Sequence, residues 1–365
     1  MLSLPIEVLD NNYLVLFPNA VTGTLFGYSG SYYNTETVSG CAGYWLKFPA
    51  TEIVQVCGLD KTDCSIDLTA GWNMIGGPNC NVPLNDVGDP GGIIVPGTLY
   101  GYSGGYVTVT SIDGTKAYWV KANAAGTIII SCGTPPTNSI NNRLEIPEET
   151  FVDFAKIEVS DAVNSSQSLY FNNTLDKKFS IDNFSLPPVP PQGSFDARLL
   201  GDYRLTENDE ATIQIQASNF PISLTVTNLK SENEIKYVVQ EFVRGALIKT
   251  ERITDGNKVL VTNSEVSMLK IVKEEELPTT YNLEQNYPNP FNPSTRIKFS
   301  LPEPTIVTLS IYNALGQKVA ELVNANLDAG RYSFQWDAGN IASGIYIYEL
   351  RTDKFISVKK MILMK

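Results

Sequence analysis

No histidine occurs among the 365 residues. That excludes Ser-His-Asp and Cys-His nucleophile systems, His-ligated zinc and an imidazole general base. Carboxylates alone can still hydrolyse a glycosidic bond. However, no paired-carboxylate signature, Gly-rich phosphate loop or Gly-x-Ser-x-Gly elbow stands in the chain. Gly27-Tyr-Ser-Gly30 and Gly101-Tyr-Ser-Gly104 contain serine and, without a histidine to activate it, read as tight turns. The acidic runs Asp60–Asp67 and Asn85–Asp89 supply loop oxygens, but neither completes the set of about six to eight that calcium wants, so both read as solvated turns. The expectation is a non-catalytic chain with no cofactor and no metal centre.

Two further residue sets carry chemistry. The cysteines are Cys41, Cys57, Cys64, Cys80 and Cys132. No CxxC and no second soft ligand type accompanies them, so disulfides are their natural use in an exported chain. Proximity suggests Cys57 with Cys64. Cys80 and Cys132 bracket one repeat unit and form the second pair, leaving Cys41 free, although five cysteines allow other sets. The aromatic set is Tyr28, Tyr32, Tyr33, Tyr44 and Trp45, then Tyr100, Tyr102, Tyr106, Tyr118 and Trp119. Exposed, these rings could stack on sugars and make a glycan-binding face. Packed, they form small cores. The core reading is favoured because Tyr-Trp recurs in register within a strand.

That recurrence is an internal repeat. Gly23-Thr-Leu-Phe-Gly-Tyr-Ser-Gly-Ser-Tyr32 matches Gly97-Thr-Leu-Tyr-Gly-Tyr-Ser-Gly-Gly-Tyr106. Gly43-Tyr-Trp-Leu-Lys-Phe48 matches Ala117-Tyr-Trp-Val-Lys-Ala122, and Val56-Cys-Gly58 matches Ser131-Cys-Gly133. Met74–Pro78 aligns with Met1–Pro5, so a counterpart of Gly71-Trp72-Asn73 is expected upstream of Met1. No basic leader with an apolar run precedes the first repeat. Both observations suggest a first repeat that has lost its opening strand and a natural N-terminus further upstream.

The rest of the composition fits many short strands. There are 27 Gly, 21 Pro and 18 Tyr, and only 18% of residues are charged, a mix that favours turns and strands over long helices. The net charge of −12 argues against a nucleic-acid partner. No apolar run reaches the roughly 18 residues of a membrane helix. Strand-like runs in the second repeat are Trp72–Met74, Leu99–Tyr100, Tyr106–Thr110, Ala117–Val120 and Thr127–Ser131. After a Pro/Asn-rich linker at 133–142, alternation in Ala155–Val159, Ala211–Gln216, Ile222–Thr227 and Lys258–Thr262 predicts an antiparallel sandwich. Val238–Leu247 reads as a hairpin turning at Arg244-Gly245. The prolines of Ser185–Arg198 predict an extended, polyproline-like crossing, with a partner-binding Pro motif as the less favoured reading.

A charged linker at 272–280 leads into the last segment. Tyr287-Pro-Asn-Pro-Phe-Asn-Pro-Ser294 is a cluster of turn initiators. Arg296–Leu301 then alternates, placing Ile297, Phe299 and Leu301 on one side, and Val307, Leu309 and Ile311 do the same. Asn313-Ala-Leu-Gly316 makes a hairpin, Gly330–Trp336 alternates with aromatics inward, Ala342-Ser-Gly344 turns into Ile345–Leu350, and Val358-Lys-Lys-Met-Ile-Leu-Met-Lys365 closes the chain. This order of Pro-Asn-Pro entry, Asn-x-x-Gly hairpin, Ala-Gly…Trp strand, Ser-Gly-x-Tyr strand and Lys-Lys tail resembles the C-terminal sorting domain of type IX secretion cargo over residues 281–365. The resemblance implies recognition through Pro288, Asn289, Pro290, Gly316, Gly330, Trp336, Gly344, Tyr346, Lys359 and Lys360. It implies export across the outer membrane of a Gram-negative bacterium by the type IX machinery, and removal by a sortase-like peptidase cutting between Glu274 and Asn286. It also implies attachment of the cargo to anionic lipopolysaccharide at the cell surface. Ser185–Arg198 is also similar to segments found just before such domains.

The expected architecture is all-β: tandem small β-domains at 1–58 and 59–134, then two Ig-like β-sandwiches at 145–273 and 281–365. The expected function is that of an exported structural or adhesive surface protein. Two alternatives stand beside it, an accessory, carbohydrate-binding region of a larger secreted hydrolase and a self-associating subunit of an extracellular filament.

Overall fold

The computed structural model describes residues 1–133, 145–229, 236–274 and 278–364. The linker expected at 133–142 lies outside the described residues apart from its first position, as does part of the one at 272–280. The chain forms two compact units, Met1–Glu274 and Glu275–Lys365. Strands dominate both, so the fold is all-β, with one four-residue α-helix among the described residues, Tyr13–Leu16, capped by Asn12 Oδ1 accepting the Leu14 N–H at 2.9 Å. No helix of the described residues is long and apolar enough to cross a membrane.

In the first unit, Phe26–Tyr28 pairs with Tyr32–Asn34, and Tyr100–Tyr102 pairs with Tyr106–Thr108. Each hairpin turns through Gly-Tyr-Ser-Gly. Its second glycine lies in the left-handed region, Gly30 at φ +74° and Gly104 at φ +70°, where a side chain would be strained. The second hairpin extends into a four-stranded sheet with Tyr118–Ala122 and Gly71–Ile75. Asp63–Leu68 pairs with Gly126–Ser131, and the apolar faces of these strands bury Leu68, Ile75, Val120, Ile128 and Ile130 in one core.

Residues 145–274 build two antiparallel sheets. One orders Ser166–Phe171, Ala155–Ser160, Ile222–Thr227 and Lys258–Val261. The other orders Asp196–Leu199, Ala211–Gln216, Met268–Lys273, Tyr237–Val243 and Ala246–Ile253. Alternate residues such as Ile157, Val159, Leu169, Ile213 and Leu269 fill the space between them. Tyr237–Val243 and Ala246–Ile253 form the hairpin expected at Arg244-Gly245, with Val243 opposite Ala246.

The crossing through the prolines is held from inside. A polyproline segment has no hydrogen bonds of its own, so its carbonyls need external donors. Arg198 Nη1 donates to Pro187 O at 2.8 Å, Tyr106 Oη to Pro188 O at 2.7 Å, and Gln216 Nε2 to Pro190 O at 3.1 Å. Arg198 is itself buried and paired to Asp196 at 2.6 Å.

Among its described residues the second unit is a sandwich of seven strands. Asn282–Leu283, Ser294–Leu301 and Gly330–Asp337 form one sheet. Lys318–Leu327, Thr305–Asn313, Gly344–Arg351 and Ile356–Leu363 form the other. Ile297, Phe299, Leu301, Val307, Leu309 and Ile311 are all buried between them, as their alternation predicts.

Candidate functional site

Several of the sorting-type residues come together at one end of the second unit. Two prolines in the entry remove backbone donors, and the peptide bonds before Pro288 and Pro290 are cis. The loop is instead organised by Asn286. Its backbone N–H donates to Tyr348 Oη at 2.9 Å, and that hydroxyl donates to Glu284 O at 2.8 Å. Asn286 Nδ2 donates to Thr295 Oγ1 at 2.9 Å, and Thr295 Oγ1 donates to Pro288 O at 2.8 Å. Burial pushes the Tyr348 hydroxyl up to about 12, so it stays protonated and can donate.

The same entry is fastened to the last strand. Ile362 N donates to Asn289 Oδ1 at 2.9 Å, Gln285 Nε2 to Lys360 O at 2.8 Å, Phe291 N to Ile362 O at 3.0 Å and Met364 N to Phe291 O at 3.0 Å. The open edge of Ile356–Leu363 is thus partly covered by a segment some seventy residues away (|i−j| = 73 for Ile362 and Asn289). Beneath it, the Trp336 ring lies 5.5 Å from Phe291 and 5.6 Å from Tyr346, whose hydroxyl donates to Ala342 O at 2.7 Å. Asn289, Trp336, Tyr346 and Lys360 therefore belong to one assembly.

The other sorting positions serve turns and strand ends. Gly316, at φ +78°, closes a hairpin in which Asn313 Oδ1 accepts the Leu315 and Gln317 N–H groups, each at 3.0 Å. Gly330 pairs with Leu301, and Gly344 with Leu363. Pro290 is exposed, Lys360 points outward and Lys359 is half-buried. On the outer face of the last two strands Ile345, Ile356 and Val358 are exposed beside Lys360. A cleft of about 430 Å³ opens beside the entry, lined by Glu284, Tyr287, Pro288, Arg296, Lys298 and Gln335, with the Tyr287 ring 82% exposed at its mouth. Lys365 lies outside the described residues. Asn286, Thr295 and Tyr348 were not singled out from the sequence, since no local pattern distinguishes a buried bridging Asn from a turn Asn.

The aromatic set lies elsewhere and is mostly interior. Tyr44, Trp45, Tyr106, Tyr118 and Trp119 are buried, and Tyr28, Tyr32 and Tyr102 are half-buried. Rings from the two Gly-Tyr-Ser-Gly stretches and the two Tyr-Trp stretches interlock: Trp119 packs on Tyr28 at 4.7 Å, and Trp45 packs on Tyr102 at 4.8 Å. The Tyr44 hydroxyl accepts Ser39 N, and the Tyr118 hydroxyl accepts Asp113 N. Tyr102 Oη donates to Phe195 O at 2.8 Å, and burial, followed by the Asp196 charge, pushes it up to about 12. Burial likewise raises Tyr106 and Tyr32. The buried rings are withdrawn from solvent and pack on one another. Tyr33 is exposed.

The disulfides are Cys41–Cys64 and Cys80–Cys132, with Cys57 free and exposed. The Cys57–Cys64 pairing suggested by proximity is corrected. Cys64 alternates inward on Asp63–Leu68 and is fully buried, whereas Cys57 lies on an exposed stretch and cannot reach that face. Cys41, buried beside it, takes the bond. Among the described residues no group of three or more Cys, Asp or Glu side chains is placed to hold a metal. In the acidic runs, the Asp89 carboxylate accepts Ile93 N and Ile94 N, each at 2.9 Å, and Asp60 Oδ1 accepts Asn79 Nδ2 at 2.6 Å. Both carboxylates brace loops.

An all-β chain whose terminal sandwich fastens a Pro-Asn-Pro entry to its last strand has the features of an exported protein with a separate address domain. Residues 285–364 match the family model of the secretion system C-terminal sorting domain, and the chain is a type IX secretion cargo protein. It interacts with that machinery and is secreted out of the cell. A search of curated proteins and a search of solved structures each returned no match.

Proposed function

We propose that the protein is a non-catalytic structural or adhesive component held at the bacterial cell surface. Residues 1–274 are its passenger and the second unit its removable address. The carrying observation is the match at 285–364 together with the assembly of Asn289, Trp336, Tyr346 and Lys360 from four separate stretches of chain. A recognition element built only in the folded domain lets the machinery read a finished product. The exposed Ile345, Ile356 and Val358 beside Lys360 give it an apolar and basic surface to grip. A sortase-like peptidase cutting between Glu274 and Asn286 would free the passenger for attachment to anionic lipopolysaccharide.

A passenger of tandem repeats supports the structural reading. Thr24 Oγ1 donates to Val21 O at 2.6 Å, as Thr98 Oγ1 does to Val95 O, and Lys47 N donates to Thr24 Oγ1 at 3.3 Å, as Lys121 N does to Thr98 Oγ1. Shared side-chain locks at matched positions support descent by duplication. The test is fractionation of cells producing the chain with or without Gly344–Lys365. The intact chain is expected at the surface and the deletion in the periplasm, and surface delivery of the deletion would refute the reading.

A further inference from the structure

Arg204 is 8% exposed, and its environment lacks what a buried cation needs. Its guanidinium carbon sits 5.0 Å from the Phe151 ring centre, 5.6 Å from Tyr100 and 5.7 Å from Phe184. Ring faces attract a cation but supply no anion and no hydrogen-bond acceptor along the N–H directions. Among the described residues Nε has no hydrogen-bond partner and no carboxylate pairs with the guanidinium. The contrast is Arg198, still more deeply buried, which holds Asp196 at 2.6 Å and Asp202 at 3.0 Å. A guanidinium with a buried, unpaired Nε and no counter-ion carries a desolvation cost, and an arriving anion relieves it.

The guanidinium lines a cleft of about 340 Å³ between two sheet edges of the first unit. The edges of Tyr106–Thr108 and Ser166–Phe171 meet where Gln167 clasps the Tyr106 backbone, Nε2 to O at 3.1 Å and Oε1 from N at 2.9 Å. Beyond that clasp the edges part. Arg204 N–H is held by Phe184 O, and Arg204 O accepts Tyr170 N at 2.8 Å, which fixes the residue at the cleft. The lining is amphipathic: Phe151 stacks on Tyr170 at 4.3 Å, Ser168 lies on the same strand face as Tyr170, and Thr108 and the exposed Glu145 and Glu148 also line the space.

We propose that this cleft binds a carboxylate carried on a compact amphipathic ring, of the acidic-sugar class. The planar guanidinium matches a carboxylate in two parallel hydrogen bonds. The half-buried aromatic edges offer apolar contact to the C–H groups of a ring, and the Thr108 and Ser168 hydroxyls offer hydrogen bonds to its polar edge. The volume is that of a small-ligand site. Glu145 and Glu148 face solvent, so their repulsion is screened by salt while the buried contact is not.

Calorimetric titration of the full chain tests the assignment, with D-glucuronate as probe and D-glucose as its neutral counterpart. Glucuronate is expected to bind saturably and about tenfold or more tighter than glucose, the effect of one charge-assisted contact. Arg204→Gln should remove that preference. Glu148→Gln, at an exposed position that leaves folding untouched, should tighten glucuronate binding at low salt and leave glucose unchanged, so the proposal stays testable if Arg204→Gln does not fold. Equal affinity for the two sugars, or glucuronate binding unaltered in a folded Arg204→Gln chain, overturns it. So does saturable binding of an acidic peptide where glucuronate fails to bind, which would assign the cleft to a protein partner.

Discussion

Tyr348 shows how one side chain can carry a loop that has few backbone donors. Its hydroxyl accepts the Asn286 N–H in a buried bond and donates to Glu284 O in a partly buried one. Tyr348→Phe keeps the ring and removes only this relay, leaving a donor and an acceptor unpaired, at a cost of about 1–3 kcal/mol. The measurement is urea unfolding of the second unit in the full chain, followed by a probe within 278–364. The hydroxyl also gives a pH signature. Burial raises it from 10.0 to about 12 in the folded state. Between those values the unfolded chain releases the proton and the folded one keeps it, so stability is fully present below the unfolded value and falls as pH rises through the folded one. The wild type should lose more stability than Tyr348→Phe over that window, and parallel losses would refute the assignment. None of this was legible in Tyr-Ile-Tyr-Glu-Leu, where alternation identifies an inward ring but not what its hydroxyl reaches.

At the scale of elements, the sequence was most readable where a single face is buried. Ile297, Phe299 and Leu301 alternate and are all interior, and the Arg244-Gly245 hairpin falls where Arg-Gly interrupts two apolar runs. The proline crossing was legible as an extended segment, because proline restricts its own backbone. Its clients were not: Arg198, Tyr106 and Gln216 come from three different strands, and only the fold brings them to it. The same limit hid Cys41–Cys64, which depends on which face of a strand each thiol occupies. It also hid the fastening of the entry to the last strand. That contact predicts a local effect. Asn289→Ala leaves Ile362 N–H without its 2.9 Å acceptor and should cost about 1 kcal/mol, chiefly as opening of the terminal edge. Hydrogen exchange at Ile362 should rise several-fold while Tyr346 and Tyr348, in the adjoining strand, exchange as before. An unchanged Ile362 rate would mean that Phe291 and Met364 hold the edge without Asn289.

Across the whole molecule the covalent reinforcement is one-sided. All five cysteines precede residue 133, and both disulfides lie in the first unit. Small β-domains with little core depth gain from cross-links that an oxidising, extracytoplasmic setting maintains. The second unit has no cysteine and holds together through its own core of Phe299, Leu309, Trp336, Tyr348 and Met361. The two units should therefore respond differently to reductant. Cys41–Cys64 spans 23 residues and Cys80–Cys132 spans 52, so loop-closure entropy assigns them about 3 and about 4 kcal/mol of stabilisation. Calorimetry of the full chain should show the transition of residues 1–274 fall steeply on reduction while that of the sorting unit stays in place. Cys80→Ser with Cys132→Ser should reproduce most of the drop, because the longer loop releases more chain entropy. Were both transitions to move together, the units would be thermally coupled and the address could not remain folded while its passenger loosened. Under the proposed function the second unit holds Asn289, Trp336, Tyr346 and Lys360 in one folded assembly whatever the state of the chain in front of it, and independent unfolding is what that reading requires.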